Sequence, residues 1–134
     1  MSLNDKVILI TGASNGIGAA VASHLSTLGA RLVINYRSDT AAAERLVSSC
    51  GGPDRALAVQ ADCSKLPELD RLVAAAVEKF GRIDVAIANA GLMLMRGLEA
   101  TTEDDFTRQF DVNVKGPYFL AQVCLHKLHP CEVQ

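Results

Sequence analysis

The chain has 134 residues, of which 49% are hydrophobic and 21% are charged, and its formal net charge at pH 7 is −2. This length fits one domain with a real core, and the slightly acidic balance argues against general nucleic-acid binding, because neutralising phosphates requires a basic surface. No apolar run approaches the roughly 18–20 residues that a membrane-spanning helix needs, so we expect no membrane partner.

Short β-branched runs alternate with longer amphipathic stretches along the first ninety residues. The patterns predict strands at 6–10, 30–35, 55–60 and 83–88, and helices at 16–28, from about 39 to 50, and at 66–80. This alternation is typical of parallel strands joined by right-handed crossovers. The sequence therefore predicts an α/β fold: a doubly wound parallel sheet of about four strands with helices on both faces.

A last helical pattern begins at Thr101 or Thr102 and continues to about Leu128. Pro117 interrupts it, because proline lacks the N–H that would bond to the carbonyl four residues earlier, that of Asn113. The sequence therefore predicts a kink with a freed, water-binding carbonyl at Asn113. A plain packing kink without chemistry is the alternative.

The loop after the first strand carries three glycines, Gly12, Gly16 and Gly18, directly before a helix. In a dinucleotide site the first permits a tight turn, the second lets the backbone approach the pyrophosphate, and the third lets helix and strand pack closely. The helix N-terminus adds free N–H groups and a partial positive charge. A merely structural glycine turn is the alternative reading.

The spacing of this loop, Thr-Gly-x-x-x-Gly-x-Gly from Thr11 to Gly18, resembles the short-chain dehydrogenase/reductase family. Three further features occur in the family's order: Asp62 after the third strand, the motif Asn89-Ala90-Gly91 after the fourth, and Asn113 in the long helix. The resemblance implies a Rossmann-type fold and hydride transfer between a nicotinamide cofactor and a carbonyl or alcohol substrate.

The resemblance also implies roles for individual residues. Asp62 would accept a hydrogen bond from the adenine amine, although a helix-capping role, which Ser64 could also fill, is the alternative. The Asn113 carbonyl would hold a water in a proton relay, which makes Asn113 the candidate catalytic residue. The candidate cofactor-binding residues are Gly12, Ser14, Asn15, Gly16, Ile17, Gly18, Arg37, Ser38, Asp62, Cys63, Asn89, Ala90 and Gly91.

The end of the second strand indicates which dinucleotide binds. An NAD site usually has an acid there to hold the ribose 2′-hydroxyl, whereas an NADP site has arginine. Here Arg37 and Ser38 follow the strand, and Asp39 comes later, where helix capping explains it. Because a guanidinium can hold a 2′-phosphate with two hydrogen bonds, NADP is the predicted cofactor. A solvated loop cation is the alternative for Arg37.

The family's remaining catalytic groups are a serine after the fifth strand and a Tyr-x-x-x-Lys motif on the next helix. These 134 residues show neither a fifth strand with its serine nor that motif. The two tyrosines, Tyr36 and Tyr118, are followed four positions later by Thr40 and Gln122. We therefore expect a C-terminally truncated family member: a dinucleotide-binding domain over residues 1–128 and a short tail over 129–134 unrelated to the family. Such a chain alone should be inactive.

Three functions stay open on the sequence. The first is the cofactor half of an NADPH-dependent carbonyl reductase or alcohol dehydrogenase. The second is a non-catalytic nucleotide-binding fragment that modulates a full-length relative through the helix over 102–128, and the third is a fragment that does not fold stably. Residues 83–88 would form an exposed apolar edge of the sheet. Four side chains on the long helix would add to the exposed apolar surface. These are Phe106, Phe110, Phe119 and Val123.

The cysteines indicate a reduced protein. They show neither C-x-x-C spacing nor the density of a disulfide framework, and the N-terminus has no secretory pattern, so we expect a cytoplasmic location. A zinc site is the alternative for the C-terminal cluster of Cys124, His126, His129 and Cys131, but its spacing matches no common zinc framework, and we expect no metal.

Overall fold

A computed structural model describes residues 2–128 of the chain. The elements, in chain order, are β1 (Val7–Ile10), α1 (Gly16–Thr27), β2 (Arg31–Tyr36), α2 (Thr40–Ser49), β3 (Ala56–Gln60), α3 (Leu66–Phe80), β4 (Val85–Ile87), α4 (Glu103–Phe110), a π-helical turn (Asp111–Lys115) and α5 (Gly116–Leu128). A single 3₁₀ turn, Leu98–Ala100, precedes α4. The predicted tail over 129–134 lies outside the described residues.

The four strands form one parallel sheet in the order β3-β2-β1-β4, which confirms the predicted doubly wound fold. Successive side chains of a strand point to opposite faces, so the strands divide two apolar cores between them. Leu9 and Val33 belong to the core under α3 and α5. Ile10 and Ile34 belong to the core under α1 and α2. Helices therefore cover both faces of the sheet.

The helix boundaries follow from local signals that the sequence carries. Asp39 caps α2 by accepting a hydrogen bond from the amide of Ala42 at 2.9 Å. Gly81 ends α3 in the left-handed conformation, with φ of 76°, which glycine adopts without steric cost. Thr102 and Asp105 form a capping box at the start of α4, so Thr102 is the cap.

Strand β4 is shorter than the predicted run over 83–88, and the reason lies in Asp84. Its carboxylate accepts a hydrogen bond from the amide of Val7 at 2.9 Å, and its own amide donates to the carbonyl of Val7 at 2.8 Å. A side chain thus replaces the first step of the β1–β4 ladder. Ladder pairing begins at Val85, which lies at the sheet edge and is 44% exposed.

Asp84 makes the contact between β1 and β4 sensitive to acid. Burial would raise the pKa of its carboxyl, but hydrogen bonds from the Val7 amide and the Arg82 side chain, with the charges of Arg82 and Lys6, bring the pKa below its ordinary value of 3.8. A carboxyl with a lowered folded-state pKa stabilises the fold above its unfolded-state pKa, and this contribution is lost as pH falls through the folded-state pKa.

We therefore expect the free energy of unfolding to decline below about pH 4, and we expect this decline to be smaller in Asp84→Asn. Urea unfolding of both proteins across this pH range measures the difference. If the variant lost stability equally at every pH, the carboxyl would not be the group that titrates.

The irregularity predicted at Pro117 is present, but it is a π turn and not a simple proline kink. The helix widens over Asp111–Lys115, where the amide of Gly116 bonds to the carbonyl of Asp111, five residues back. Pro117 is then the second residue of α5, where its missing N–H is tolerated better than in a helix interior. The water-binding role of the Asn113 carbonyl stays a prediction.

The long helix presents an apolar stripe that differs from the predicted one. Phe119 and Val123 are partly buried and pack against the core under α3 and α5, so their predicted exposure is wrong. Four of the exposed large side chains recur every four residues, and we call these four the apolar stripe: Phe106, Phe110, Val114 and Tyr118. Within residues 2–128, no helix is long and apolar enough to cross a membrane.

Candidate functional site

A cleft of about 380 Å³ opens where the glycine loop, the ends of β2 and β3, and the segment after β4 meet. Ligands bind at this carboxyl edge of open α/β sheets as a rule. Twelve of the thirteen candidate cofactor-binding residues share the walls with five others: the lining is Gly12, Ser14, Asn15, Gly16, Ile17, Asn35, Arg37, Ser38, Asp39, Ala61, Asp62, Cys63, Asn89, Ala90, Gly91, Leu92 and Val112. Gly18 and the candidate catalytic residue Asn113 do not line it.

 Among the lining residues, Ile17 stands at the rim of the cleft, where its side chain is 77% exposed.

The glycine loop has the shape that a phosphate group needs. Gly12 and Gly16 have φ of 61° and 58°, which side chains rarely tolerate. A Cβ on Gly12 would lie 2.8 Å from the Cα of Ala90, whereas one on Gly16 would meet nothing within 4 Å. Asn15 is the N-cap of α1, but its side chain makes no capping hydrogen bond. The first amides of α1 therefore lack a side-chain cap at the edge of the cleft.

Gly18 lies behind the loop and lets α1 approach the strands. A Cβ there would lie 2.8 Å from the Cα of Ala13 and 2.6 Å from the side-chain nitrogen of Asn89. This matches its predicted packing role and explains why it does not line the cleft.

Asn89 ties the end of β4 to the end of β1. Its side-chain amide donates to the carbonyls of Thr11 at 2.9 Å and Gly12 at 3.1 Å. The hydroxyl of Thr11 in turn accepts hydrogen bonds from the amides of Asn89 and Ala90, both at 3.0 Å. These bonds fix the wall formed by Ala90 and Gly91 relative to the glycine loop.

Asn35 is a residue of the candidate site that sequence reasoning missed. It is 1% exposed, and its side-chain oxygen accepts a hydrogen bond from the amide of Gly12 at 3.0 Å. Its side-chain nitrogen donates to the carbonyls of Val59 at 3.2 Å and Ala61 at 3.1 Å. One buried amide thus joins the glycine loop to the ends of β2 and β3. The only sequence signal was a polar residue at the end of an apolar strand.

Arg37, Ser38 and Asp39 form the end of the cleft beyond β2. Within residues 2–128, Arg37 takes part in none of the ion pairs, so its charge is not committed to a carboxylate. The sequence predicts only a capping role for Asp39. The structure corrects this, because Asp39 both caps α2 and lines the cleft.

Asp62 lies at the same end of the cleft and is held as a carboxylate. Burial raises the pKa of its side chain, but hydrogen bonds from the hydroxyl and amide of Ser64, with the charges of Lys65 and Arg37, outweigh this and lower it. The N-cap of α3 is Lys65, so Asp62 closes the preceding turn and does not cap the helix directly. An ionised carboxylate accepts hydrogen bonds only, so it suits the amine of an adenine as donor.

Cys63 has a buried thiol that we expect to react slowly. Burial raises its pKa to about 11, and the charges of Asp62 and Glu68 act in the same direction. The sulfur also lies 3.2 Å from the side-chain oxygen of Asn35, to which it donates. Because the thiolate is the reactive form, two pKa units correspond to about a hundredfold less reactive species.

We therefore expect iodoacetamide to modify Cys63 at least tenfold more slowly in the folded chain than in urea, measured on the Cys63 peptide by mass spectrometry at about pH 8. The unfolded chain is the internal control. Equal rates in the two states would mean that the thiol is accessible and unperturbed.

Asn113 contacts the segment after β4 through its side chain. Its side-chain oxygen accepts from the amide of Leu92 at 2.8 Å, and its nitrogen donates to the carbonyl of Leu92 at 2.7 Å. Gly116, which the sequence did not single out, lets the π turn sit close to β3, because a Cβ there would lie 2.7 Å from the carbonyl of Cys63.

The described residues contain no group of three or more side chains arranged to hold a metal ion. Cys124 is buried in the core. His129 and Cys131, the other half of the candidate zinc cluster, lie outside the described residues.

The comparison with known proteins agrees with this geometry. A family model described as short chain dehydrogenase matches residues 6–132. The chain belongs to the short-chain dehydrogenase family. The match extends into the predicted tail, so the expectation that the tail is unrelated to the family is wrong for residues 129–132.

Individual relatives align with most of this chain. A short-chain dehydrogenase/reductase of Pestalotiopsis microspora is 42% identical over 122 residues, which are 90% of this chain and 46% of the relative. A short chain dehydrogenase of Burkholderia cenocepacia, solved in complex with NADP, superposes with a TM-score of 0.90 at 33% identity, covering 96% of this chain and 53% of that one.

A third relative was solved with the other cofactor. It is a 3-ketoacyl-(acyl-carrier-protein) reductase of Brucella melitensis complexed with NADH, with a TM-score of 0.83 at 41% identity over 90% of this chain and 49% of that one. The chain thus spans about half the length of the relatives it matches. Both nicotinamide cofactors occur among those relatives.

Proposed function

We propose that this chain binds NADP(H) in the cleft between the glycine loop and Arg37. The observation that carries the proposal is the pairing of two anion-binding features across one cleft. At one end lie the uncapped amides of α1 behind Gly16. At the other lies Arg37, without an ion pair among residues 2–128.

The cleft residues divide the dinucleotide among them. The open space beside Gly16 would admit the pyrophosphate, since a Cβ there meets nothing within 4 Å. Arg37 and Ser38 would hold the 2′-phosphate, and Asp62 the adenine amine. When bound, the nicotinamide would supply the hydride that is exchanged with a carbonyl or alcohol substrate.

The activity we propose for the whole protein is an NADP-dependent carbonyl/alcohol oxidoreductase. This chain has no Tyr-x-x-x-Lys motif to supply the acid or base, and a positioned acid or base contributes about 10²–10⁴ in rate. We therefore expect this chain alone to bind the cofactor without turning it over. In the whole protein, the Asn113 carbonyl would contribute a proton-relay contact. The cytoplasmic location stays a prediction.

A second role has its own observation, the apolar stripe. The Phe106 and Phe110 rings stack with centroids 4.4 Å apart and are 56% and 50% exposed. Exposed apolar surface of this kind indicates an interface. We propose that a further copy of the chain or a full-length relative covers it. In the second case the chain would be a non-catalytic modulator of that relative. Analytical ultracentrifugation with a complete relative tests this, and strictly monomeric sedimentation of both would exclude it.

Isothermal titration of the full chain with NADP⁺ and with NAD⁺ tests the main proposal. We expect saturable binding of NADP⁺ that is tighter than that of NAD⁺. Absorbance at 340 nm with NADPH and a panel of ketones should show no turnover. Equal dissociation constants would contradict the cofactor assignment, and no binding of either nucleotide would contradict the proposed function.

A further inference from the structure

The segment 91–97, which follows the nucleotide cleft, is attached to the long helix by three regularly spaced contacts. The first joins Leu92 to Asn113 through two hydrogen bonds, at 2.8 and 2.7 Å. In the second, the amide of Leu94 donates to the side-chain oxygen of Gln109 at 3.1 Å. The third, an ion pair between Arg96 and Asp105, is described next. We call the three contacts together the ladder.

The third contact joins an exposed residue, Arg96, to a buried one, Asp105. The Nε of Arg96 lies 3.1 Å from a carboxylate oxygen of Asp105, whose side chain is only 5% exposed. The same Asp105 side chain accepts a hydrogen bond from the amide of Thr102 at 3.1 Å, inside the capping box. The α4 end of the ladder is therefore fixed by the helix start itself.

The spacing of the ladder is a geometric match between two kinds of backbone. Its residues are two apart in the segment and four apart, in the opposite direction, in the helix. Two residues of extended chain rise about 6.6 Å, and four residues of α-helix rise about 6.0 Å. A hydrogen bond from the amide of Arg96 to the carbonyl of Leu94 at 3.1 Å shortens the segment, which brings its rise over two residues closer to that of four helical residues.

The alternation also decides which side chains face solvent. Met93 and Met95, which lie between the ladder positions, are 77% and 87% exposed. Leu92 and Leu94, at the ladder positions, are partly buried. The segment is therefore held by its backbone hydrogen bonds, by Arg96 and by these two leucines, and the methionines do not contribute.

We propose that Gln109 and the Arg96–Asp105 pair are positioning residues for the nucleotide cleft. Gly91 and Leu92 form one wall of the cleft, and Leu92 is the first ladder residue. A single anchor at Leu92 leaves the rest of the segment free to move, and ordering it on binding would cost free energy. Two further anchors order the wall before the nucleotide arrives. The binding part of this proposal rests on the proposed function.

The test compares Gln109→Leu with Gln109→Glu in the full chain. Leucine fills a similar volume but cannot accept the Leu94 amide, whereas a glutamate oxygen still can. Gln122→Leu is the matched control, since Gln122 is an exposed residue of α5 and outside the cleft. Two quantities are measured: amide hydrogen exchange at Leu92 and Leu94 by NMR, and the dissociation constant of NADP⁺ by calorimetry.

We expect Gln109→Leu to speed exchange of the Leu94 amide at least tenfold and to weaken NADP⁺ binding about two- to tenfold, the range expected for one net hydrogen bond. Gln109→Glu should restore both quantities, and Gln122→Leu should change neither. Thermal unfolding of each variant without nucleotide verifies that it is folded.

Unchanged exchange at Leu94 in Gln109→Leu would overturn the ladder, whatever the nucleotide does. Faster exchange with unchanged NADP⁺ affinity would overturn the positioning role. If the unmodified chain bound no nucleotide, the proposed function would fall and the positioning role with it, while the exchange data would still report whether the ladder exists.

Discussion

Replacing Gly18 with alanine is expected to destabilise the fold by about 1–3 kcal/mol, the usual cost of overpacking a close contact, and to weaken nucleotide binding. The new Cβ would lie 2.8 Å from both the Cα of Ala13 and the carbonyl oxygen of Gly12. Both are backbone atoms, so they cannot rotate away as a flexible side chain can. The glycine loop or α1 must shift instead.

The same substitution also disturbs the bonds that fix the loop. The Cβ would lie 2.6 Å from the Asn89 side-chain nitrogen, which donates to the carbonyls of Thr11 and Gly12. Losing one such bond and leaving buried carbonyls unpaired adds about 1–3 kcal/mol. Urea unfolding measures the total, and calorimetry with NADP⁺ measures the effect on binding.

Two other glycines provide controls for this prediction. Gly97→Ala should be neutral or slightly stabilising, because a Cβ there meets nothing within 4 Å and its φ of −64° suits alanine. Gly16→Ala should lower the free energy of unfolding by about 1–2 kcal/mol from its φ of 58° alone. It should also weaken nucleotide binding directly, because Gly16 lines the cleft. A Gly18→Ala variant as stable as Gly97→Ala would contradict the packing argument.

The fold was predictable where its signals are local. The predicted bounds of α3 agree with the structure at both ends, because its apolar periodicity is strong and Gly81 ends it. The bounds of β4 were not predictable, because its ladder begins only after the Asp84 side chain has bonded to Val7, far away in sequence. The form of the π turn escaped prediction for a similar reason, since it depends on the contact between Gly116 and Cys63.

The candidate site divides in the same way. The glycine loop was predictable because its backbone requirements restrict the amino acid to glycine at fixed spacing. Asn35 was not, because its importance arises only when Gly12, Val59 and Ala61 converge on one buried amide. The ladder was not predictable either, because its partners lie on an irregular segment and a helix whose relative register no local pattern specifies.

Arg37→Ala should weaken NADP⁺ binding by about tenfold to a hundredfold and leave NAD⁺ binding nearly unchanged, since a hydrogen bond to a charged group contributes about 1.5–3 kcal/mol. The physical reason is that the two cofactors differ only in the 2′-phosphate, and Arg37 lines the cleft without an ion pair among residues 2–128. Its removal therefore costs the phosphate contact and breaks no salt bridge of the described fold.

Calorimetric titration of both nucleotides into Arg37→Ala and into Arg45→Ala measures this selectivity. Arg45 is an exposed arginine of α2 that does not line the cleft, so its removal changes the net charge equally without touching the site. Asp39, which does line the cleft, makes the opposite result informative. If Arg37→Ala kept its NADP⁺ affinity, or if NAD⁺ bound as tightly as NADP⁺ to the unmodified chain, Arg37 would not be the residue that holds the 2′-phosphate, and the effect of Asp39 on the ribose end would have to be tested next.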